Sequence, residues 1–195
     1  MDFLKKIKFD IKTKIIIVII LLILIFAVLI GAGYYPILIV NGSIVTDANF
    51  NIDYLAASNF YQKAKTVYFS TSSIPTIDPK NFQAQILNEL VDEALIRNEL
   101  HKELGSDFQL VVNNKLKDVQ ATPSFQNDVG IIYGISYPLF KSYVLVPMAE
   151  KELLSERLFL NGQNIADWLS SARQSAKVYV IASDFYWNGN SIVAK

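Results

Sequence analysis

The sequence predicts a mainly α-helical chain with a small β element, in which an N-terminal transmembrane helix precedes a multi-helix domain with short strands at its start and end. Three observations predict this architecture. A long uncharged apolar run lies near the N-terminus, amphipathic segments of helical periodicity fill the middle, and short runs rich in Ile, Val and Tyr flank them. About 155 residues follow the apolar run, which is the size of one ordinary domain.

The apolar run extends from Ile15 to Tyr35 and contains no charged residue. Its length matches the roughly 20 residues that a helix needs to cross a bilayer, so we expect it to contact membrane lipid. Five lysines lie within residues 1–14 against two aspartates, and the positive-inside rule keeps such a basic segment cytoplasmic. The sequence therefore predicts a single-pass protein of the cell membrane, with residues 36–195 on the extracytoplasmic side.

A cleavable signal peptide is the alternative interpretation of the same segment. Signal peptides have apolar regions of about 7 to 15 residues that end in a small-residue cleavage site. Gly31-Ala32-Gly33 loosely resembles such a site. The apolar run is longer than usual, however, and it lacks a clear A-x-A pattern, so an uncleaved signal-anchor is the favoured prediction.

The composition excludes several classes of function. The chain has no cysteine, so it forms neither a disulfide nor a thiolate metal site or nucleophile. Because the N-terminal lysines supply much of the positive charge, the remaining domain is slightly acidic, which argues against nucleic acid as a partner. No phosphate-binding loop, dinucleotide fingerprint, zinc-ligand spacing, nucleophile elbow or EF-hand pattern occurs. We expect no cofactor and no metal.

A β-hairpin is predicted at the start of the exported domain. Residues 36–46 contain two extended apolar pieces separated by Asn41-Gly42, a strong hairpin-turn signal. Thr46 or Asp47 then caps a helix. Along this helix, large apolar residues recur at helical spacing: Phe50, Tyr54, Leu55 and Phe60.

The clearest predicted helix covers residues 79–104. Asp78 is a good N-cap, Pro79 suits the first helical position, and Gly105 is a plausible stop. One face of the helix is apolar and the other is predicted to be polar, as in an amphipathic helix. The apolar face comprises Phe82, Ile86, Leu87, Leu90, Val91, Ala94 and Leu95, and the polar face comprises Gln85, Glu89, Asp92, Glu93 and Glu103.

Shorter elements are predicted on both sides of this helix. A polar loop at residues 70–75 precedes it and a short helix at residues 107–118 follows it. Pro123 then opens a further helix that ends at Gly134. The remaining elements are a long helix that begins after Ser136 and is bent or broken by Pro147, a helix at residues 164–175, a strand at residues 176–181 and a hairpin turned by Asn188-Gly189.

Three segments carry a resemblance to a known family. They are Val40-Asn41-Gly42-Ser43-Ile44-Val45-Thr46 with Phe50, the amphipathic helix from Gln85 to Gly105, and a later segment that contains Tyr133-Gly134-Ile135-Ser136 and Val146-Pro147. In order and spacing they resemble the N-terminal domain of SurA and PrsA, which parvulin-linked periplasmic and surface chaperones share. The resemblance covers roughly residues 40–160.

The resemblance implies a folding chaperone that binds unfolded or nascent exported polypeptides. A parvulin isomerase module usually follows the N-terminal segment in this family. Here only a short stretch follows residue 160 and the whole chain has one histidine, so the resemblance implies the chaperone part without the enzyme. Residues 168–181 are similar to the helix and strand that close the domain in some members.

Five aromatic residues are the candidate client-binding site. They fall around the predicted bend between two helices, where aromatic side chains could line a groove for apolar segments. The alternative is that most of them belong to the core. The five are Phe125, Tyr133, Tyr137, Phe140 and Tyr143.

No catalytic site is predicted. His101 lies on a charged helix beside Lys102 and Glu103, so we interpret it as a solvated helix residue. Carboxylates that could be imagined as an acid and base are interpreted as members of polar helix faces. These are Asp92, Glu93, Glu150, Glu152 and Glu156.

Two other functions stay open on the sequence alone. The chain could be a non-catalytic assembly subunit of a secretion or cell-surface complex, which would use the same groove for one fixed partner. It could also be a diverged peptidyl-prolyl isomerase, although this requires a β-rich insert with histidines that the sequence does not contain. The predicted holdase-like chaperone would bind many unrelated unfolded clients, whereas an assembly subunit would bind one partner at fixed stoichiometry.

Overall fold

A computed structural model describes residues 11–68, 78–117, 119 and 121–195 of the chain. The first ten residues of the predicted cytoplasmic segment, the predicted loop at residues 70–75 and residue 118 lie outside the described residues. The chain divides into two compact units between Tyr35 and Pro36. The predicted fold class, mainly helical with a few short strands, is confirmed.

The first unit contains helix α1 (Ile11–Gly31). Its segment Lys14–Gly31 is long and apolar enough to span a membrane. The helix ends four residues before Tyr35, because Gly33 adopts a left-handed conformation with φ 76°. The Tyr34 N–H donates to the carbonyl of Leu29 at 2.9 Å and the Gly33 N–H to that of Ile30 at 3.0 Å, which is the Schellman pattern of a helix C-terminus.

The second unit opens with the predicted hairpin. Strands β1 (Pro36–Val40) and β2 (Ser43–Thr46) pair antiparallel, and the turn between them has positive φ at both Asn41 and Gly42. Asn-Gly suits this turn because both residues tolerate positive φ. The other edge of β1 pairs antiparallel with β3 (Val178–Val180), so the sheet order is β2-β1-β3 and the start of the domain is joined to its C-terminal part.

Helices α2 (Asp47–Tyr68) and α3 (Pro79–Leu104) follow, and both predicted helices are confirmed. The Thr46 hydroxyl accepts the Asn49 N–H at 3.3 Å at the start of α2. At the start of α3 the Asp78 carboxylate accepts the Asn81 N–H at 3.0 Å. These are the N-cap contacts that the sequence predicts.

A single turn of 3₁₀ helix (Gly105–Asp107) leads into α4 (Phe108–Lys115). Helix α5 (Pro123–Tyr133) has Thr122 as its N-cap and ends at Gly134, where φ is 68°. The predicted start and end of α5 are therefore confirmed. The axis of α5 makes an angle of 79° with the long helical segment that follows.

The expected bend or break at Pro147 takes a different form. Helix α6 (Tyr137–Phe140) continues through a π-helical turn (Lys141–Leu145) into α7 (Val146–Leu160). Pro147 has no N–H to donate to the preceding turn. The wider π turn accommodates this missing hydrogen bond, and the helix continues without a break. We call α6, the π turn and α7 together the long segment.

The C-terminal elements match the prediction. Helix α8 (Ile165–Ser175) is capped by Asn164, and β3 follows it. Strands β4 (Phe185–Trp187) and β5 (Ile192–Ala194) form the terminal hairpin. The hairpin is fastened to α3 by Asn88, whose Nδ2 donates to the carbonyl of Ile192 at 2.9 Å and whose Oδ1 accepts the Ile192 N–H at 2.7 Å.

Helix α3 organises the buried core of the second unit. Its first half packs on the three-stranded sheet through side chains such as Leu87 and Val91. Its second half packs against α4 and α7 through Ile96 and Leu100. A smaller cluster joins α2, α5 and α6, and its buried members are Ala56, Val129, Ile135 and Phe140.

Candidate functional site

A cavity of about 340 Å³ opens between α2, α3 and the long segment. Its volume lies within the range of small-molecule and peptide-binding pockets. Most of its wall is apolar, as a site for apolar polypeptide segments requires. The apolar and aromatic lining consists of Ala56, Ala57, Phe60, Ile86, Leu90, Ile96, Tyr133, Tyr143, Val144, Pro147 and Met148.

A second cavity of about 530 Å³ adjoins the first on the side of the β1–β2 hairpin. The two cavities share five lining residues, so we treat them as one feature and call it the central groove. The second cavity is more polar and adds Ser43, Asn49, Arg97 and Ser142. The shared residues are Asp53, Leu90, Glu93, Tyr143 and Pro147.

The π turn shapes one wall of the central groove. It holds Tyr143 and Val144, and Pro147 and Met148 follow in the first turn of α7. π turns are rare and occur often at functional sites. Met148 is 63% exposed, so its flexible thioether side chain stands at the surface of the groove.

Four carboxylates contribute to the polar part of the groove. Asp53 on α2 and Glu93 on α3 line both cavities, and Glu89 and Asp92 line the first. Burial is the main cause that raises the pKa of Asp53 to about 7, and the nearby Glu89 carboxylate adds to it. Burial, followed by repulsion from Asp53, raises the pKa of Glu93 to about 8. The groove therefore changes charge near neutral pH.

The pKa of Glu89 is also raised, and burial is again the main cause. The ammonium group of Lys151 on α7 acts in the opposite direction and favours the ionised carboxylate. Lys151 lines the same cavity. Cationic charge is thus present beside Glu89, at the α7 side of the groove.

Two neighbouring carboxylates are held by arginines. The Arg97 Nε–H lies 3.1 Å from both carboxylate oxygens of Glu150, which is only 2% exposed. Arg173 on α8 donates to both oxygens of Asp92 at 2.6 Å. These pairs fix α7 and α8 against α3 beside the groove.

The five predicted aromatic residues divide into two groups. Tyr133 and Tyr143 line the central groove. Phe125, Tyr137 and Phe140 pack edge to face in the cluster between α5 and α6, with ring centroids 5.9 and 6.1 Å apart, and Phe140 is 5% exposed. Tyr133 connects the two groups, because its ring lies 5.4 Å from Phe60 and 4.7 Å from Phe140.

The sequence interpretation of Glu93 and Glu150 as members of polar helix faces is wrong. Glu150 is buried, and Glu93 lies in the groove. The sequence patterns give no indication of Asp53. A signal for Glu93 exists in the sequence, because its helical neighbours Ile86, Leu90 and Ile96 are apolar and buried, which places it inside an apolar stripe.

No group of three or more His, Asp or Glu side chains is arranged to hold a metal ion within residues 11–68, 78–117, 119 and 121–195. His101 is exposed and packs on Phe108, with ring centroids 3.9 Å apart. The arrangement of the groove is suited to binding a polypeptide segment through apolar, aromatic and ionic contacts.

Comparison with protein families matches residues 4–132 to the SurA-like N-terminal domain. The match spans about two thirds of the chain and confirms the resemblance that the sequence motifs indicate. It begins earlier than residue 40 and ends before the segment of residues 133–147 that also contributed to the resemblance. No parvulin domain is detected. No curated protein and no solved structure matches the chain.

Proposed function

The chain belongs to the SurA-like N-terminal domain family, and we propose that it is a membrane-anchored extracytoplasmic chaperone that holds unfolded exported polypeptides. The observation that carries the proposal is the central groove, an open cleft with apolar and aromatic walls in the domain of a chaperone-type family. Unfolded chains expose apolar side chains, and such a cleft removes them from water.

The chemistry of the groove favours weak and reversible binding. Its wall combines half-exposed Phe60 and exposed Met148 with polar groups, so a client segment buries apolar area without a deep enclosed pocket. Methionine and aromatic side chains adapt to clients of different shape. A holdase needs this combination, because it must release its client for folding.

Helix α1 supplies the anchor in this proposal. Attachment to the membrane confines the domain to the surface where exported chains emerge, and it raises the effective concentration of the groove for those chains. The five lysines among residues 1–14 support an orientation with the N-terminus in the cytoplasm. Modest affinity for each client segment is then sufficient.

We also propose that the chain acts without isomerase activity. A non-catalytic domain of this family binds a client but does not accelerate rotation about its X–Pro bonds. The two functions are separable by experiment, because isomerisation changes a folding rate and holding changes the yield of soluble client.

The test uses the full chain in lipid nanodiscs with an aggregation-prone, unrelated unfolded protein. We expect suppression of aggregation, and no acceleration of a proline-limited refolding reaction. The double variant F60A/M148A removes two apolar side chains of the groove and should weaken suppression. The control F159A/L160A removes two apolar side chains that are 77% and 84% exposed at the end of α7, outside the groove, and should leave suppression unchanged.

Other outcomes would overturn the proposal. Suppression that is lost equally in both double variants would mean that the groove is not the binding site. Binding of one partner at fixed stoichiometry, with no effect on unrelated clients, would identify a dedicated assembly subunit. Faster proline isomerisation would establish a diverged isomerase.

A further inference from the structure

The central groove contains two carboxylates, Asp53 and Glu93, for which the described part of the chain supplies no hydrogen-bond or ion-pair partner. Asp53 and Glu93 line both cavities, and within the described part of the chain neither makes a hydrogen bond or an ion pair. Their neighbours differ, because Asp92 and Glu150 are each held by an arginine at 3.1 Å or less. The groove therefore presents two partly buried carboxylates that are open to an incoming group.

Charged side chains of α3 and α7 surround the two carboxylates. On α3, Glu89 repels Asp53 and Glu93, and Arg97 attracts both of them. Glu150 on α7 is paired with Arg97 and repels Glu93. Lys151 on α7 acts on Glu89. After these pairings the groove has more carboxyl groups than cationic groups, and a positive ligand favours their ionised form, so the groove is complementary to such a ligand.

The walls around the carboxylates restrict the type of cation. Ala57, Leu90 and Met148 provide apolar surface, and Phe60 is half exposed in the same cavity. A hydrated metal ion gains nothing from such walls. A lysine or arginine side chain does, because its methylene stem packs on apolar surface and its charged end is attracted to carboxylates and aromatic faces.

We propose that the central groove selects unfolded segments in which a lysine or arginine is flanked by apolar residues, with the apolar side chains on Leu90 and Met148 and the cationic group at Asp53 and Glu93. This inference rests on the proposed chaperone function and specifies its client class. A purely apolar groove would bind neutral and basic segments equally, so a preference for the basic segment is the result that distinguishes this proposal.

Proton release is a further expected signature of this binding. Burial, followed by repulsion from Glu89 at Asp53 and from Asp53 at Glu93, favours the protonated carboxyl groups in the free groove and raises their pKa values to about 7 and about 8. A bound cation favours the ionised forms, so binding at neutral pH displaces protons into solvent. If Asp53 and Glu93 had only a structural role, proton release would not depend on the charge of the bound peptide.

The experiment measures binding of two fluorescent peptides to the full chain in lipid nanodiscs. The peptides share the same apolar residues and differ at one central position, which is lysine or acetyl-lysine. We expect the lysine peptide to bind roughly tenfold more tightly at pH 7.5, because hydrogen bonds to charged groups are stronger than neutral ones. The preference should shrink at high salt.

Two double variants test the residues. D53N/E93Q replaces both groove carboxylates by neutral amides of the same shape, and we expect the two peptides to bind it with nearly equal affinity. D107N/D128N removes the same charge from two exposed positions outside the groove, and it should keep the tenfold preference. Nanodiscs made from zwitterionic lipid keep membrane charge out of the comparison.

The outcomes distinguish this proposal from the chaperone function itself. Equal binding of both peptides to the natural chain would overturn the charge preference and leave the holdase proposal standing. Absence of binding by either peptide, together with no suppression of aggregation, would overturn both. A preference that survives in D53N/E93Q would assign the basic segment to another surface.

Discussion

Arg97 on α3 and Glu150 on α7 form an ion pair in which the carboxylate is almost completely buried and the guanidinium is not. The Arg97 Nη2 lies 3.0 Å from Glu150 Oε2, and the exposed fractions of the two side chains are 42% and 2%. A buried carboxylate without a partner is costly, because the protein interior solvates charge poorly. The pair therefore helps to hold α7 against α3 beside the central groove, together with the apolar packing of Ile96 and Leu100.

Replacing Arg97 by methionine should destabilise the domain strongly. The R97M variant leaves the Glu150 carboxylate buried and unpaired, which is expected to lower the free energy of unfolding by about 3–5 kcal/mol. Denaturant titration of the full chain in detergent micelles measures the loss. The matched control is R157M, since Arg157 pairs with Glu103 across the same two helices but with both side chains substantially exposed. We expect R157M to lose less than about 1 kcal/mol, and equal losses would contradict the importance of burial.

The Asp92–Arg173 pair should require arginine rather than any cation. Arg173 places Nε and Nη2 each 2.6 Å from one carboxylate oxygen of Asp92, a forked geometry that lysine does not reproduce. We expect R173K to cost about 1–2 kcal/mol. Because α8 leads directly into β3, amide hydrogen exchange in Val178–Val180 should become faster. K115R, which alters a pair with exposed Glu152 and Glu156, should leave exchange in β3 unchanged.

Local chemistry explains why most elements were predictable. Asn41-Gly42, Asp78-Pro79 and Gly134 each act through the backbone of their own few residues, so their effect can be read from the sequence without knowing what packs nearby. The groove depends on contacts between distant segments. Asp53 and Glu93 are 40 positions apart in the chain, and no local pattern indicates that they line the same cavity.

The aromatic residues illustrate the same limit. The sequence predicts one bend near five aromatic residues, which lie in α5, α6 and the π turn: Phe125, Tyr133, Tyr137, Phe140 and Tyr143. Which of them face the groove depends on the 79° angle between α5 and the long segment and on the packing of these elements against α2. Only the assembled fold therefore separates Tyr133 and Tyr143, which line the groove, from buried Phe140.

Gly134 should be less replaceable than another glycine with the same backbone conformation. Gly134 and Gly162 both end helices, with φ of 68° and 70°. A β-carbon at Gly134 would overlap the side-chain amide of Asn59, whose Nδ2 donates to the carbonyl of Tyr133 at 3.1 Å, whereas a β-carbon at Gly162 meets open space.

We expect G162A to cost about 1 kcal/mol, the cost of the left-handed conformation alone, and G134A to cost about 2–3 kcal/mol because the Asn59 hydrogen bond is also lost. Thermal unfolding of the two variants in the same micelles measures the difference. Similar losses would show that Asn59 moves aside freely and that the α2–α5 contact tolerates the added methyl group.

The stability of the domain should fall as the pH rises through the range in which Glu93 titrates. Burial, followed by the negative charge of Asp53, raises the pKa of Glu93 from its usual 4.5 to about 8. Between these values the unfolded chain has lost the proton and the folded chain retains it. Fewer protons bound in the unfolded state mean that the free energy of unfolding decreases with pH, so the stabilising effect of the protonated group is complete below about pH 4.5 and lost above about pH 8.

The variant E93Q removes this titration while preserving the shape of the side chain. At pH 8.5 it should exceed the natural chain in free energy of unfolding by about 1–2 kcal/mol, whereas at pH 4.5 the two should be nearly equal. Denaturant titrations at both pH values measure the difference. The control D107N changes an exposed carboxylate outside the groove and should leave the pH dependence of the natural chain intact. A pH slope that is unchanged in E93Q would mean that Glu93 ionises without penalty in the folded domain, and the groove would then carry its full negative charge at neutral pH.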